Sequence, residues 1–155
     1  MEQPVKKTIP AHAAVALKHQ GSYDQIGDVY RELFDWAGAK GVKPAGRPYT
    51  VFLRPPTEED WNSSQFMVCL PVDASVQGDE KVEKLDVPEQ TVVAAEVKGA
   101  YDQIPAHYAE LVAWIDYEGL EVDGKPREVY IKHPGDGETT DPEDYLTEVQ
   151  FPVAE

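Results

Sequence analysis

Gly21-Ser-Tyr-Asp-Gln-Ile26 and Gly99-Ala-Tyr-Asp-Gln-Ile104 are near-copies set 78 positions apart, and they open the longest self-match in the chain. Aligned at that shift, residues 21–51 and 99–129 agree at 13 of 31 positions, among them Tyr30/Tyr108, Leu33/Leu111, Trp36/Trp114, Gly41/Gly119 and Gly46/Gly124, where chance supplies about two. A second match pairs Val68-x-Leu70-Pro71-Val72 with Val149-x-Phe151-Pro152-Val153 at a shift of 81, as a longer loop in the second copy would require. Such self-similarity reads as an internal duplication. It implies one domain spanning 1–155, built from pseudo-repeats of about 8–75 and 88–153, with the charged stretch Asp79–Gln90 as the seam.

Each copy reads as β-α-β-β. Val15-x-Leu17 and Val93-x-Ala95-x-Val97 alternate as half-buried strands do. Glycine then ends the strand, and Asp24 or Asp102 favours a helix start through its charge at the positive end of the helix dipole. Ile26, Tyr30, Leu33 and Ala37, and likewise Ile104, Tyr108, Leu111 and Ile115, recur at helical spacing, and Gly41 and Gly119 punctuate the helix ends. Strands are expected at Tyr49–Arg54 and Gln65–Leu70, and again at Arg127–Lys132 and Tyr145–Phe151. Two such units make an α+β fold with antiparallel sheets, helices on one sheet face and an open cleft on the other.

The more apolar residues of each strand should lie under the helices. That places Thr147, Val149 and Phe151 inside, with Val129 and Ile131 beside them. Leu146, Glu148 and Gln150, with Glu128, Tyr130 and Lys132 of the preceding strand, are left on the open side. In the first copy Phe66, Val68, Leu70 and Val51 go inside, leaving Met67, Cys69 and Phe52 outward. Tyr130, Phe52, Met67 and Glu148 would then line one surface. A carboxylate among apolar neighbours is costly unless paired, and aromatic faces attract cations, so a lipophilic cation would satisfy both. Two plainer readings stay open: Glu148 as a solvated charge on an exposed sheet face, and Tyr130 as ordinary packing. Trp114 lies about 80° from the centre of its helix's apolar stripe, where it packs at the helix–sheet edge or leans over the cleft mouth.

Composition narrows the function. With 14 Lys+Arg against 29 Asp+Glu the net charge is −15, which opposes nucleic-acid binding and favours cationic ligands. A 41% hydrophobic share is that of an ordinary soluble globule. No stretch approaches the roughly 20 apolar residues a membrane span needs, and Met1–Pro10 lacks the apolar run of a signal peptide; the expected compartment is the cytoplasm. Asn62-Ser63-Ser64, a glycosylation acceptor by spelling, then has no secretory route. Cys69 is the only cysteine and reads as an inert packed thiol.

Other motifs fall short. Gly119–Pro126 imitates a phosphate loop but carries Pro126 where Ser or Thr must hold magnesium. Asp136-x-Glu138-x-Thr140 hints at a calcium loop, yet Asp141 replaces its glycine and Thr147 its bidentate glutamate. His12, His19, His107 and His133 show no zinc spacing, and no Gly-x-Ser-x-Gly elbow is present. No metal or cofactor is expected.

The Gly-x-Tyr-Asp-Gln-Ile openings, the Tyr-x-x-Leu-x-x-Trp helices, Glu128-Val-Tyr130 and the ending Leu146-Thr-Glu148-Val-Gln-Phe-Pro152-Val resemble the GyrI-like small-molecule-binding family. That family includes effector-binding domains of AraC- and MerR-type multidrug regulators and free-standing proteins. The resemblance covers about Thr8 to Val153. It implies two β-α-β-β units around a concave cleft, a cleft glutamate facing lipophilic and often cationic ligands, which Glu148 matches, and aromatic lining, for which Tyr130 and Trp114 stand in the corresponding places. It also implies an alternative, because some free-standing members hydrolyse cyclopropane-bearing natural products, with Glu148 then activating water and Tyr130 donating a hydrogen bond. A gyrase-inhibitor-like protein partner is a third reading. The family's regulators carry a helix-turn-helix domain that this chain lacks, so the expectation is a stand-alone, cytoplasmic binding protein for lipophilic or cationic compounds.

Overall fold

The computed structural model describes residues 3–22, 25–54, 64–100, 103–104, 106–132 and 141–154. Asp24 and Asp102 at the expected helix starts, Asn62 and Ser63 of the acceptor triplet, His133 and the 136–140 loop lie outside them. Two helices and antiparallel strands make an α+β fold. In chain order the elements are β1 (Val5–Ile9), β2 (His12–Gly21), α1 (Ile26–Ala39), β3 (Tyr49–Arg54), β4 (Ser64–Val72), β5 (Glu83–Val87), β6 (Gln90–Lys98), α2 (Ala106–Tyr117), β7 (Glu121–Val122), β8 (Arg127–Lys132) and β9 (Leu146–Ala154).

The chain divides into two compact units. The N-unit, Pro10–Glu89, holds strands in the order β5-β2-β4-β3 with α1. The C-unit, Met1–Ile9 with Gln90–Glu155, holds β1-β6-β9-β8 with α2, and β7 pairs with the end of β9. The seam expected at Asp79–Gln90 therefore contains a strand, β5, which pairs with β2 from His12↔Val87 to Ala16↔Glu83. The N-terminal segment is also a strand, since β1 pairs with β6 from Val5↔Ala94 to Ile9↔Gln90.

Local chemistry explains why the repeated motif bends as it does. Gln25 turns back so that its Oε1 accepts the Ser22 N–H at 3.0 Å, and a Cβ on Gly21 would stand 2.2 Å from that oxygen. Any side chain there would have to push the Gln25 amide aside. Both helices end in paired bonds, Val42 N–H to Ala37 O with Gly41 N–H to Gly38 O, and Leu120 N–H to Ile115 O with Gly119 N–H to Asp116 O. These are Schellman closures, in which Gly41 and Gly119 take the left-handed conformation, φ +69° and +74°. Side chains with a Cβ are strained there.

The core follows from the helical and strand periods. In the N-unit α1 buries Ile26, Val29, Leu33 and Ala37, while Phe52, Phe66, Val68 and Leu70 are fully buried. In the C-unit Ile104, Leu111 and Ile115 form one cluster with β6 and β9 through Val93, Val97, Val149 and Phe151. Burying each such side chain contributes about 1.5–3 kcal/mol. Trp36 sits half-buried on α1 and donates its indole N–H to Asp79 Oδ2 at 2.8 Å.

That bond, followed by the Val82 and Lys81 backbone N–H groups, holds the exposed Asp79 carboxyl at about 2 against an ordinary 3.8. The stabilising contribution is thus present above pH 3.8 and is lost as pH falls towards 2. Trp36→Phe should move the Asp79 carboxyl titration, followed by carbon-detected NMR, upward towards 3.8; an unmoved titration would remove Trp36 as the leading cause.

Candidate functional site

β9 lies between β6 and β8, so its alternation decides what faces where. Residues directly across an antiparallel ladder share a sheet face. Ala95↔Val149 and Val93↔Phe151 put Val149 and Phe151 with the α2 cluster. Glu148, opposite Glu96 on β6 and Val129 on β8, points away from α2. Leu146 and Gln150 share its face by the period of two.

The Glu148 side chain is 13% exposed and forms an ion pair with Lys7, Nζ to Oε1 at 2.6 Å. The Gln150 Nε2 donates to the same oxygen at 2.7 Å. Lys7 stands opposite Val92 on β6, four residues along from Glu96. On a flat sheet, strands about 4.8 Å apart rising about 3.3 Å per residue would leave the Lys7 and Glu148 Cα atoms about 16 Å apart. The two side chains span roughly 13 Å with their contact included. The pair can close only if the strands coil, making this face of the C-unit concave along that diagonal. Between them on β6 is Ala94, whose methyl offers little obstruction.

β8 faces the opposite way from the expectation. Val129, not Tyr130, stands across from Glu148, and Tyr130 stands across from the buried Thr147. Tyr130 is 3% exposed and donates its hydroxyl to Glu128 Oε1 at 3.1 Å. Tyr108 of α2 donates to Glu128 Oε2 and sets its ring edge-on to Phe151, centroids 5.6 Å apart. Glu128 is fully buried. Apolarity ranks Val129 and Ile131 above Glu128 and Tyr130, but two phenol hydroxyls satisfy the carboxylate and let the polar pair take the inner face. The same reversal applies to β3: Phe52 is fully buried 6.3 Å from Phe66, and Val51 lies opposite Met67.

Of the five expected site residues, Glu148 and Met67 occupy faces turned from their helices, each within its own unit. Trp114 packs half-buried against the α2 cluster, and Tyr130 and Phe52 are core residues. Sequence reasoning placed Gln150 on the Glu148 face and missed Lys7, Glu96 and Val129 as its neighbours. Glu96 and Val129 depend on the register of β6 and β8 against β9. Lys7 depends on the β1–β6 pairing, for which no local signal exists. Cys69 is buried, and no cluster of three or more metal-ligating side chains occurs among the described residues. No helix among them is long and apolar enough to cross a membrane.

Comparison with known proteins agrees with this fold. A family model, the GyrI-like small molecule binding domain, matches residues 2–154. Among solved structures, EcmrR in its DNA complex superposes with a TM-score of 0.86 at 21% identity, covering 99% of this chain and 57% of that one. The chain thus spans little more than half of EcmrR. The crystal structure of the EcmrR C-terminal domain gives 0.81 at 22% identity, covering 99% and 98%. SAV2435 bound to tetraphenylphosphonium gives 0.64 at 15% identity, covering 98% and 94%. A hydrolase from Listeria innocua gives 0.71 at 13% identity, covering 99% and 92%. Curated protein sequences give no match.

Burial, followed by the charge of Glu128, raises the Tyr108 hydroxyl well above its ordinary value of 10.0. The folded state holds this proton more tightly than the unfolded chain does. The contribution is therefore whole below pH 10.0 and is lost as pH rises through the elevated folded value. Tyr108→Phe should lower unfolding stability by about 1–3 kcal/mol, because a buried carboxylate loses a donor. It should also weaken the fall in stability above pH 10.0, both read from urea titrations. Unchanged stability would show that water replaces the phenol.

Proposed function

The chain belongs to the GyrI-like small-molecule-binding domain family, and from that premise we propose that it binds lipophilic cations on the concave face of the C-unit, with Glu148 as counter-charge. One observation carries the proposal: Glu148, 13% exposed and turned from α2, already holds an ammonium group. A part-buried carboxylate that accepts one cation at 2.6 Å is built to accept another. Val129 and Leu146 on the same face supply apolar area, in place of the aromatic wall expected from sequence. The charge of −15 adds attraction for cations at long range. The phosphonium bound by SAV2435, which shares the fold, gives the probe.

We further infer that the two units descend from one duplicated β-α-β-β unit. The strand orders β5-β2-β4-β3 and β1-β6-β9-β8 correspond member for member, at the shift that aligns the repeats. Only the C-unit carries a carboxylate at the Glu148 position, since the N-unit has Met67 there.

A second reading, hydrolysis of strained cyclopropane-bearing compounds with Glu148 activating water, draws on the likeness to a structure described as a hydrolase. The resting contacts weigh against it. Lys7 and Gln150 both occupy Oε1, which suits a counter-charge better than a general base.

Isothermal titration should detect tetraphenylphosphonium binding by the wild type, and Glu148→Gln should weaken it by roughly tenfold or more. The wild type should leave a duocarmycin-type cyclopropane unopened. Undiminished binding by Glu148→Gln would remove Glu148 from the site, and turnover abolished by that change would establish the hydrolase instead.

A further inference from the structure

Resting on the reading of Glu148 as a cation site, we propose that Lys7 is its specificity-determining residue: the Lys7 ammonium fills the cation position at Glu148 until a ligand displaces it. The Lys7 side chain is 40% exposed against 13% for Glu148, so the lysine is the more open of the two to water. It comes from β1, a five-residue strand paired with β6, so releasing its head group breaks no ladder bond. Gln150 stays in place as a second donor to Oε1 at 2.7 Å.

The two units supply an internal comparison. Lys7 stands opposite Val92, as Leu85 of β5 stands opposite Ala14 at the shift of 78. Glu148 stands opposite Glu96, as Met67 stands opposite Lys18. The ion pair of the C-unit thus occupies the positions held by an apolar pair, Leu85 and Met67, in the N-unit. Packing alone is served by the apolar version, so the charged pair is there for its charge.

The consequence is a charge filter. A neutral apolar molecule must leave the pair intact or strand a part-buried carboxylate, which is costly. A lipophilic cation takes over the carboxylate and releases the ammonium to water, where its long stem keeps it solvated. Affinity for a cation is then the difference between two cations at one oxygen pair, and selectivity comes from the cost imposed on neutral ligands.

The test compares wild type, Lys7→Met, Lys7→Arg and the double variant Lys7→Leu with Glu148→Met, which copies the N-unit pair and controls for folding. Titration with tetraphenylphosphonium should show Lys7→Met binding roughly five- to tenfold tighter, the size of a part-buried ion pair. Lys7→Arg should stay near wild type, and the double variant should fold and not bind. Triphenylphosphine oxide, a neutral probe of similar shape, should gain nothing from Lys7→Met. Without ligand, Glu148→Gln should raise acylation of Lys7 by an amine-reactive ester severalfold over its level in the wild type, read by mass spectrometry. If the wild type binds the phosphonium and Lys7→Met binds it no more tightly, or if the neutral probe gains equally, the proposal is overturned while the cation site survives. If neither protein binds it, the cation site falls and the proposal with it. Unchanged Lys7 acylation in Glu148→Gln would show that no such latch holds the ammonium in solution.

Discussion

A strand that lies between two others has no freedom in its facing. β9 pairs with β6 over Val92↔Pro152 to Lys98↔Leu146 and with β8 over Arg127↔Gln150 to Lys132↔Leu146. Slipping it by one residue would turn Val149 and Phe151 out of the α2 cluster and forfeit several kcal/mol of apolar burial. The orientation of Glu148 is therefore a by-product of the core. The residue points to the concave side because its neighbours are committed to the other.

Two carboxylates on β8 and β9 answer the cost of burial in different ways. Glu128 faces α2, is fully buried and is closed by two phenol hydroxyls, Tyr108 of α2 and the buried Tyr130 of β8, donors packed into the core. Glu148 faces away and is held by an ammonium on a flexible stem. The first arrangement is a structural solution. In the proposed site the second is the exchangeable one, and exchangeability is what a binding site requires. The N-unit has neither, since Thr50 and Met67 stand at the matching positions. Thr50 there donates to Tyr30 at 3.4 Å, a neutral version of the Glu128–Tyr108 contact.

The repeat was legible because its identities serve the backbone. Gly21 yields to Gln25, Gly41 and Gly119 close the helices, and Gly46 and Gly124 meet Pro71 and Pro152 so closely that a Cβ would lie 3.3 and 3.0 Å away. Such demands fix residue type and leave a visible trace. Strand existence and helix faces followed from period. β1 and β5 were not legible, because Val5-Lys-Lys-Thr-Ile9 and Glu83-Lys-Leu-Asp-Val87 are short and mixed, and what makes them strands is a partner distant in sequence. The facing of β8 was misread because hydrophobicity ranks side chains singly, whereas Glu128 and Tyr130 are buried together.

The positions where the two units disagree are where chemistry has room to enter. Residues bound to a turn or a helix end are pinned by geometry and cannot be spared for a ligand. Lys7 and Leu85, Glu148 and Met67, Glu96 and Lys18 occupy strand positions whose only demand is that the face be compatible with its neighbours, and a matched ion pair meets that demand as well as a matched apolar pair. A fold that repeats its backbone solutions can thus change one face of one unit from apolar to charged by exchanging a few side chains, provided they change together. A lone carboxylate at 148 would be stranded, and a lone ammonium at 7 would have nothing to hold.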